Sequence, residues 1–324
     1  MTNYRVGETI RKLRTQLAIT QEDLCDGICA VPTMSRIENG HRLPSKAVFD
    51  ALMQRMGRSS DLYDVLMSDH DFAIHEKKYE LRESVVVRDF EKARVLLDEF
   101  NALIADDDEK LHQQFSLYMS VIIGAECGMP DAEALEKLQK AISLTIPKYN
   151  KSKLSELYLD FDEITIFNYI AIVYGKLRRL DDATKLFTEL EEYLACRHID
   201  AQEKMRTYPM VLYNLSMCLG QTERYLDCIR ICDKGIQLCK QTDCTRLMAK
   251  FYYNRSWAIQ KRGKPEQKEE AKSSIIFAYL LALSVDNNTN MQLYAEFARE
   301  HFGLELPEMF HYLPMISHSP SQQS

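Results

Sequence analysis

Glycine and proline are scarce, 11 and 9 in 324 residues, and tryptophan occurs once. Few turn-formers beside plentiful Leu, Ala, Glu and Lys disfavour a sheet-rich fold and favour an all-α one. No run approaches the roughly 20 apolar residues of a membrane span. The first residues, MTNYRVGETIRKLR, are charged where a signal peptide carries an apolar core. A cytoplasmic location with no membrane partner is the expectation. Paired Cys-x-x-Cys spacing is also missing. The nine cysteines, at 25, 29, 127, 196, 218, 228, 232, 239 and 244, make no disulfide framework in a chain of this size. Cys228, Cys232 and Cys239 lie near one helical face, but with no histidines at ligand spacing they read as buried apolar thiols. HEKKYE (75–80) lacks the second His of a zinc helix, and no glycine-rich phosphate loop or Gly-x-Ser-x-Gly elbow occurs. No enzyme, metal or cofactor is expected.

The charge is uneven. Residues 1–60 carry nine Lys/Arg against six Asp/Glu, whereas the rest carries 32 against 42. A basic head on an acidic body suits a chain that touches phosphates at one end only. Within the head, Ile10, Leu13 and Leu17 share the face of a first helix. Thr20, with Asp23 three residues on, caps a second helix anchored by Leu24 and Ile28. Pro32 opens a third whose Met34 and Ile37 point inward, and Asn39-Gly40 ends it. Ser45 starts a fourth with Val48, Leu52 and Met56, and SSDLYDVLM (59–67) reads as a fifth.

Two short helices joined by a tight turn and braced by others form a helix-turn-helix, whose second helix enters the DNA major groove. IRKLR, TQEDL and SRIENG, in that order, resemble the phage-repressor (XRE/Cro) class over residues 6–67. The shortened turn is most similar to the PlcR branch of peptide-regulated transcription factors. The resemblance implies that Gln21 meets a phosphate, that Val31, Pro32 and Arg36 face bases, and that Thr33, Ser35 and Arg42 touch phosphates. It also implies an internal Arg14–Glu38 pair. Of the base-facing residues only Arg36 can make a bidentate contact with guanine, and it can equally hold a phosphate. Direct readout is thin, so DNA shape contributes and a homodimer on an inverted-repeat operator is the natural arrangement.

From about Asp71 onward, amphipathic helices follow one another. Three segments, from Phe167, Tyr213 and Tyr253, each place an aromatic–Asn pair before a Gly and then a second helix with a small residue, Ala183, Cys228 or Ala271. They resemble tetratricopeptide repeats, although the Asn-to-Asn spacings of 46 and 40 imply longer helices or turns than the standard unit. The fold expected is therefore all-α: a phage-repressor-like helix-turn-helix domain (1–67), a linker helix or coupling segment (68–87), a TPR-like right-handed α-solenoid for peptide binding and dimerisation (88–313), and a disordered tail (314–324).

Asn168, Asn214 and Asn254 are the informative body residues. An amide both donates and accepts, so a ladder of them can hold an extended peptide backbone; singly, each would cap a turn or bond a neighbouring helix. Tyr213, Tyr253 and Arg255 are candidates for the same groove or for packing, with Gln113 and Gln114 as weaker ones. The acidic run 106–109 reads as a solvated loop and Trp257 as core. The whole resembles the RRNPP group, which implies a transcription regulator acting as receptor for a short linear signalling peptide. Two rivals stand: a DNA-tethered scaffold for a partner protein, and a constitutive dimeric repressor.

Overall fold

The structure, a computed structural model, describes residues 3–60, 68–241, 244–285 and 287–311, with side chains given from residue 6 onward. Every regular element among them is a helix. The chain forms two compact units, Met1–Lys204 and Met205–Ser324.

Unit 1 opens with α1 (Asn3–Gln16), α2 (Gln21–Cys25), α3 (Val31–Glu38) and α4 (Lys46–Arg55). Local chemistry sets these boundaries. The Asp23 amide donates to Thr20 Oγ1 at 3.0 Å, and Thr20 Oγ1 donates to the Asp23 carboxylate at 2.7 Å. The Ser45 hydroxyl likewise accepts from the Val48 amide, each cap satisfying an orphan donor of its helix. Ile10, Leu24, Met34, Ile37 and Leu52 form the fully buried centre. One expectation fails at α1. The helix stops at Gln16, Leu17 is 39% exposed, and Ile19 takes the place in the core instead. A left-handed Ala18 (φ 54) turns the chain back and causes the swap. The helix expected over 59–67 falls almost wholly outside the described residues, as does the tail.

Antiparallel helix pairs follow: α5 (Asp69–Val86) with α6 (Phe90–Leu103), α7 (Lys110–Glu126) with α8 (Asp131–Thr145), and α9 (Phe161–Lys176) with α10 (Leu180–Cys196). The segment expected to be a linker helix is α5, started by a reciprocal Ser68–Asp71 capping box. In unit 2, α11 (Ala201–Gln221), which begins at the boundary, is followed by α12 (Tyr225–Cys239), α13 (Thr245–Arg262), α14 (Lys268–Leu283), α15 (Asn288–Phe302) and α16 (Leu306–Met309). Ala183, Cys228 and Ala271 are all buried, as their repeat position predicts. At the turns inside three pairs the left-handed residue is Arg88, Arg178 or Glu223. The Arg178 amide bonds the Gly175 carbonyl and the Arg179 amide that of Tyr174, a Schellman ending; Glu223 and Arg224 repeat it.

The head is bolted to the first helix pairs inside unit 1. Arg55, at the end of α4, is fully buried and donates to Glu163 Oε1 on α9 at 2.7 Å and to the carbonyls of Leu24, Asp26 and Thr145. Burial works against the guanidinium charge, but Glu163 overrides it and raises the pKa. The Phe161 amide donates to Gln54 Oε1 at 3.1 Å. Two turns of the head press on body carbonyls so closely that a side chain has no room. A Cβ on Gly27 would stand 1.9 Å from the Thr145 oxygen, and one on Gly57 1.9 Å from that of His198.

Lys78 on α5 carries a titratable strain. Its ammonium lies 4.6 Å from the centre of the Phe115 ring, and burial pushes its pKa from 10.5 down to about 8. The unfolded chain therefore binds the extra proton between pH 8 and 10.5, so this group's penalty is full below pH 8 and fades as the pH rises. Lys78→Met is expected to stabilise unit 1 at pH 7 by about 1–2 kcal/mol. The gap to wild type should close towards pH 10.5, read from urea midpoints at several pH values; a gap that does not change with pH contradicts this account.

Candidate functional site

The α2–turn–α3 segment presents a polar, partly basic edge. Arg14 donates to both Glu38 carboxylate oxygens, at 2.6 and 3.0 Å, and to the Ile19 carbonyl at 2.7 Å. The hydrogen bond to Glu38 raises the arginine pKa, and the pair ties α1 to α3. Gln21 Nε2 donates to the same carboxylate at 2.6 Å. Its side chain is thus anchored to the pair. The tie also lets α1 and α3 approach so closely that a Cβ on Gly7 would meet the Ile37 oxygen at 2.0 Å.

On this frame Val31, 41% exposed, leads α3, followed by exposed Pro32 and Arg36 and half-buried Thr33 and Ser35. Arg36, with no ion pair among the described residues, extends from the same face, and Arg42 is exposed beyond the Asn39–Gly40 turn. Arg42 and Thr33 line a cleft whose opposite wall is Asp107–Lys110. The acidic run read as a solvated loop is thus partly built in. Asp107 Oδ2 bonds the buried His112 ring at 2.7 Å, and Glu109 is pushed up by burial and by its neighbour Asp107.

The second face lies in unit 2. Along α11, Met210, Tyr213, Asn214, Met217 and Gln221 recur on one exposed or half-exposed stripe. The stripe on α13 has the same register forty residues later, where Lys250, Tyr253, Asn254, Trp257 and Lys261 follow. The two stripes touch. Lys250 Nζ lies 5.1 Å from the Tyr213 ring centre, and Asn254 Nδ2 donates to Ser216 Oγ at 2.9 Å. Tyr253 stacks on Tyr294, with ring centres 4.9 Å apart. Arg255 points away from the stripe, to Asp233 on α12 and to Glu270 and Ser274 on α14. In unit 1 the equivalent surface of α9 is closed, for Asn168 is 8% exposed beside buried Ile164, Phe167 and Ala171. Gln114 is buried and donates to Ala141 and Thr145, whereas Gln113 is exposed. The register that aligns Met210 with Lys250 and Met217 with Trp257 is present in the sequence at a spacing of 40.

Among the described residues no helix is long and apolar enough to cross a membrane. Residues 134–298 match the model of the RNPP family C-terminal domain, and residues 10–63 match a helix-turn-helix model. No curated protein sequence matches the chain. Among solved structures, PlcR of Bacillus thuringiensis, in complex with the peptide PapR7 and DNA, is 19% identical, with 91% of this chain and 98% of that one covered at a TM-score of 0.54. The apo form of the competence regulator ComR from Streptococcus vestibularis is 14% identical over 93% and 99% of the two chains, at a TM-score of 0.52. These likenesses show a shared fold: a helix-turn-helix head followed by TPR-like helix pairs.

Proposed function

The chain belongs to the RNPP family, and from that premise we propose that it is a DNA-binding transcription regulator that answers to a short linear peptide. The head takes the DNA. Arg36 reads a base or holds a phosphate, Val31 and Pro32 lie against base edges, and Gln21, Thr33, Ser35 and Arg42 position the duplex. One such head spans a single half-site, so a homodimer on an inverted repeat is the working unit. The peptide engages the repeats through Asn214 and Asn254, with Tyr213 and Tyr253 beside them and Asn168 as a further candidate; Arg255 acts through its ion pairs with α12 and α14. Its binding shifts the population of DNA-competent dimers.

The observation that carries the reading is the doubled stripe, in which Asn214 and Asn254 hold the same register on neighbouring helices. The bond from Asn254 to Ser216 favours a second reading, in which the asparagines serve packing and the regulator is constitutive. Two measurements separate them. Arg36→Ala is expected to weaken binding to a duplex selected from random sequence by roughly 5- to 100-fold and to relax preference at one base position. An unchanged binding curve removes Arg36 from the site. Native mass spectrometry of full-length protein recovered from its host should show the added mass of a peptide of about five to ten residues, lost in Asn214→Ala/Asn254→Ala. Bare protein in every growth phase supports the constitutive reading.

A further inference from the structure

We propose that the peptide accepted by unit 2 is acidic, its carboxylates meeting Lys250 and Lys261 while its apolar side chains lie on Met210 and Met217. This rests on the peptide-receptor reading above and narrows it to a chemical class.

The charge pattern is the first observation. The chain beyond residue 60 is strongly acidic, yet the ten positions of the two stripes hold two lysines and no Asp or Glu. Neither ammonium has a carboxylate partner among the described residues. Instead each sits over a ring, Lys250 Nζ 5.1 Å from the centre of Tyr213 and Lys261 Nζ 5.8 Å from that of Trp257. The next arginine on the same helix is treated differently. Arg255 turns towards α12 and α14 and is neutralised there by Asp233 and Glu270. Acidic partners are thus supplied on the opposite side of α13 and withheld from this one. A cation on an aromatic face keeps its charge available to an arriving anion.

The second observation is apolar. Met210 and Met217 are 42% and 40% exposed, one turn before Asn214 and one turn after it. Methionine is flexible and polarisable, a side chain that adapts to apolar groups of varied shape. On α13 Lys250 lies one turn before Asn254 and Lys261 two turns after it. A strand crossing both helices at the asparagines passes the methionines on α11 and the lysines on α13. Apolar residues then fall on the methionines and acidic ones on the lysines, and a basic peptide would meet two like charges.

The test is affinity selection of an equimolar random heptapeptide library on the immobilised full-length protein, with retained peptides read by mass spectrometry. Wild type is expected to enrich peptides carrying Asp or Glu about tenfold over those carrying Lys or Arg. Lys250→Glu/Lys261→Glu should reverse the preference, and Lys250→Met/Lys261→Met, which keeps the apolar stems, should abolish it. Circular dichroism melts confirm that both variants fold. Peptides enriched without charge bias, or with a bias the variants leave in place, overturn the acidic class and spare the receptor reading. Enrichment of no peptide over a blocked surface overturns both.

Discussion

Glu163→Gln is expected to destabilise unit 1 by about 3 kcal/mol, because it leaves a guanidinium buried with no counter-charge. Arg55 and Glu163 meet at 2.7 Å with side chains 1% and 0% exposed, so water cannot take over from the lost carboxylate. Glu163 also accepts from the Asp160 amide at 2.7 Å through its other oxygen, and glutamine has one acceptor for these two donors, so a hydrogen bond is lost with the charge. Arg55→Met costs stability too, since the carbonyls of Leu24, Asp26 and Thr145 lose their donor. The double variant should cost less than the two singles together, by about 2 kcal/mol, the mark of a direct pair. A chain of two units need not unfold in one step, so the readout is hydrogen exchange at α4 and α9 along a urea series. Additive single costs would mean that the pair contributes no coupling and that the head is held by packing alone.

Whether a feature could be read in advance followed its reach along the chain. Thr20 with Asp23, Ser45 with Val48 and the Asn39–Gly40 ending act within a few residues, so the head's helices were legible from local chemistry. The Arg14–Glu38 pair was legible only through the family pattern. Arg55 and Glu163 are 108 residues apart, and neither looks unusual in its own helix; nothing local announces that one neutralises the other. The long Asn-to-Asn spacing pointed to long helices, and α11, at 21 residues, is one. It holds Pro209 buried within its first half. The asparagines illustrate a different limit. Their shared motif position was visible, but burial depends on neighbours, so Asn168 turns out enclosed while Asn214 and Asn254 keep partly open stripes. The acidic run 106–109 was legible as a loop, yet its place opposite Arg42 follows from how the head docks.

Gly57→Ala is expected to lift the head from the body. Gly57 sits at φ +72, where a Cβ is strained, and that Cβ would stand 1.9 Å from the His198 oxygen, a backbone atom that has no rotamer to escape into. Left-handed strain of about 1–2 kcal/mol adds to an overpacking cost of about 1–3 kcal/mol, enough to rival the docking contacts. The glycine follows α4 and lies outside the α2–turn–α3 segment, so the DNA-contacting frame built on Arg14 and Glu38 stays intact. Docking matters for DNA because Asp107, Asp108 and Glu109 wall the cleft that Arg42 and Thr33 share. A phosphate at Arg42 is repelled by those carboxylates across the cleft, and the repulsion is screened over a Debye length of about 10 Å at 0.1 M salt. Undocking removes the wall. Gly57→Ala should therefore bind a selected duplex several-fold more tightly than wild type at low ionic strength, and the advantage should shrink as salt rises. Glu163→Gln loosens the same junction from the other side and should shift affinity in the same direction. Tighter binding in both variants makes the junction a restraint on the head. If both lose stability but bind DNA as wild type does, the junction is structural only, and the acidic wall does not impede the phosphates.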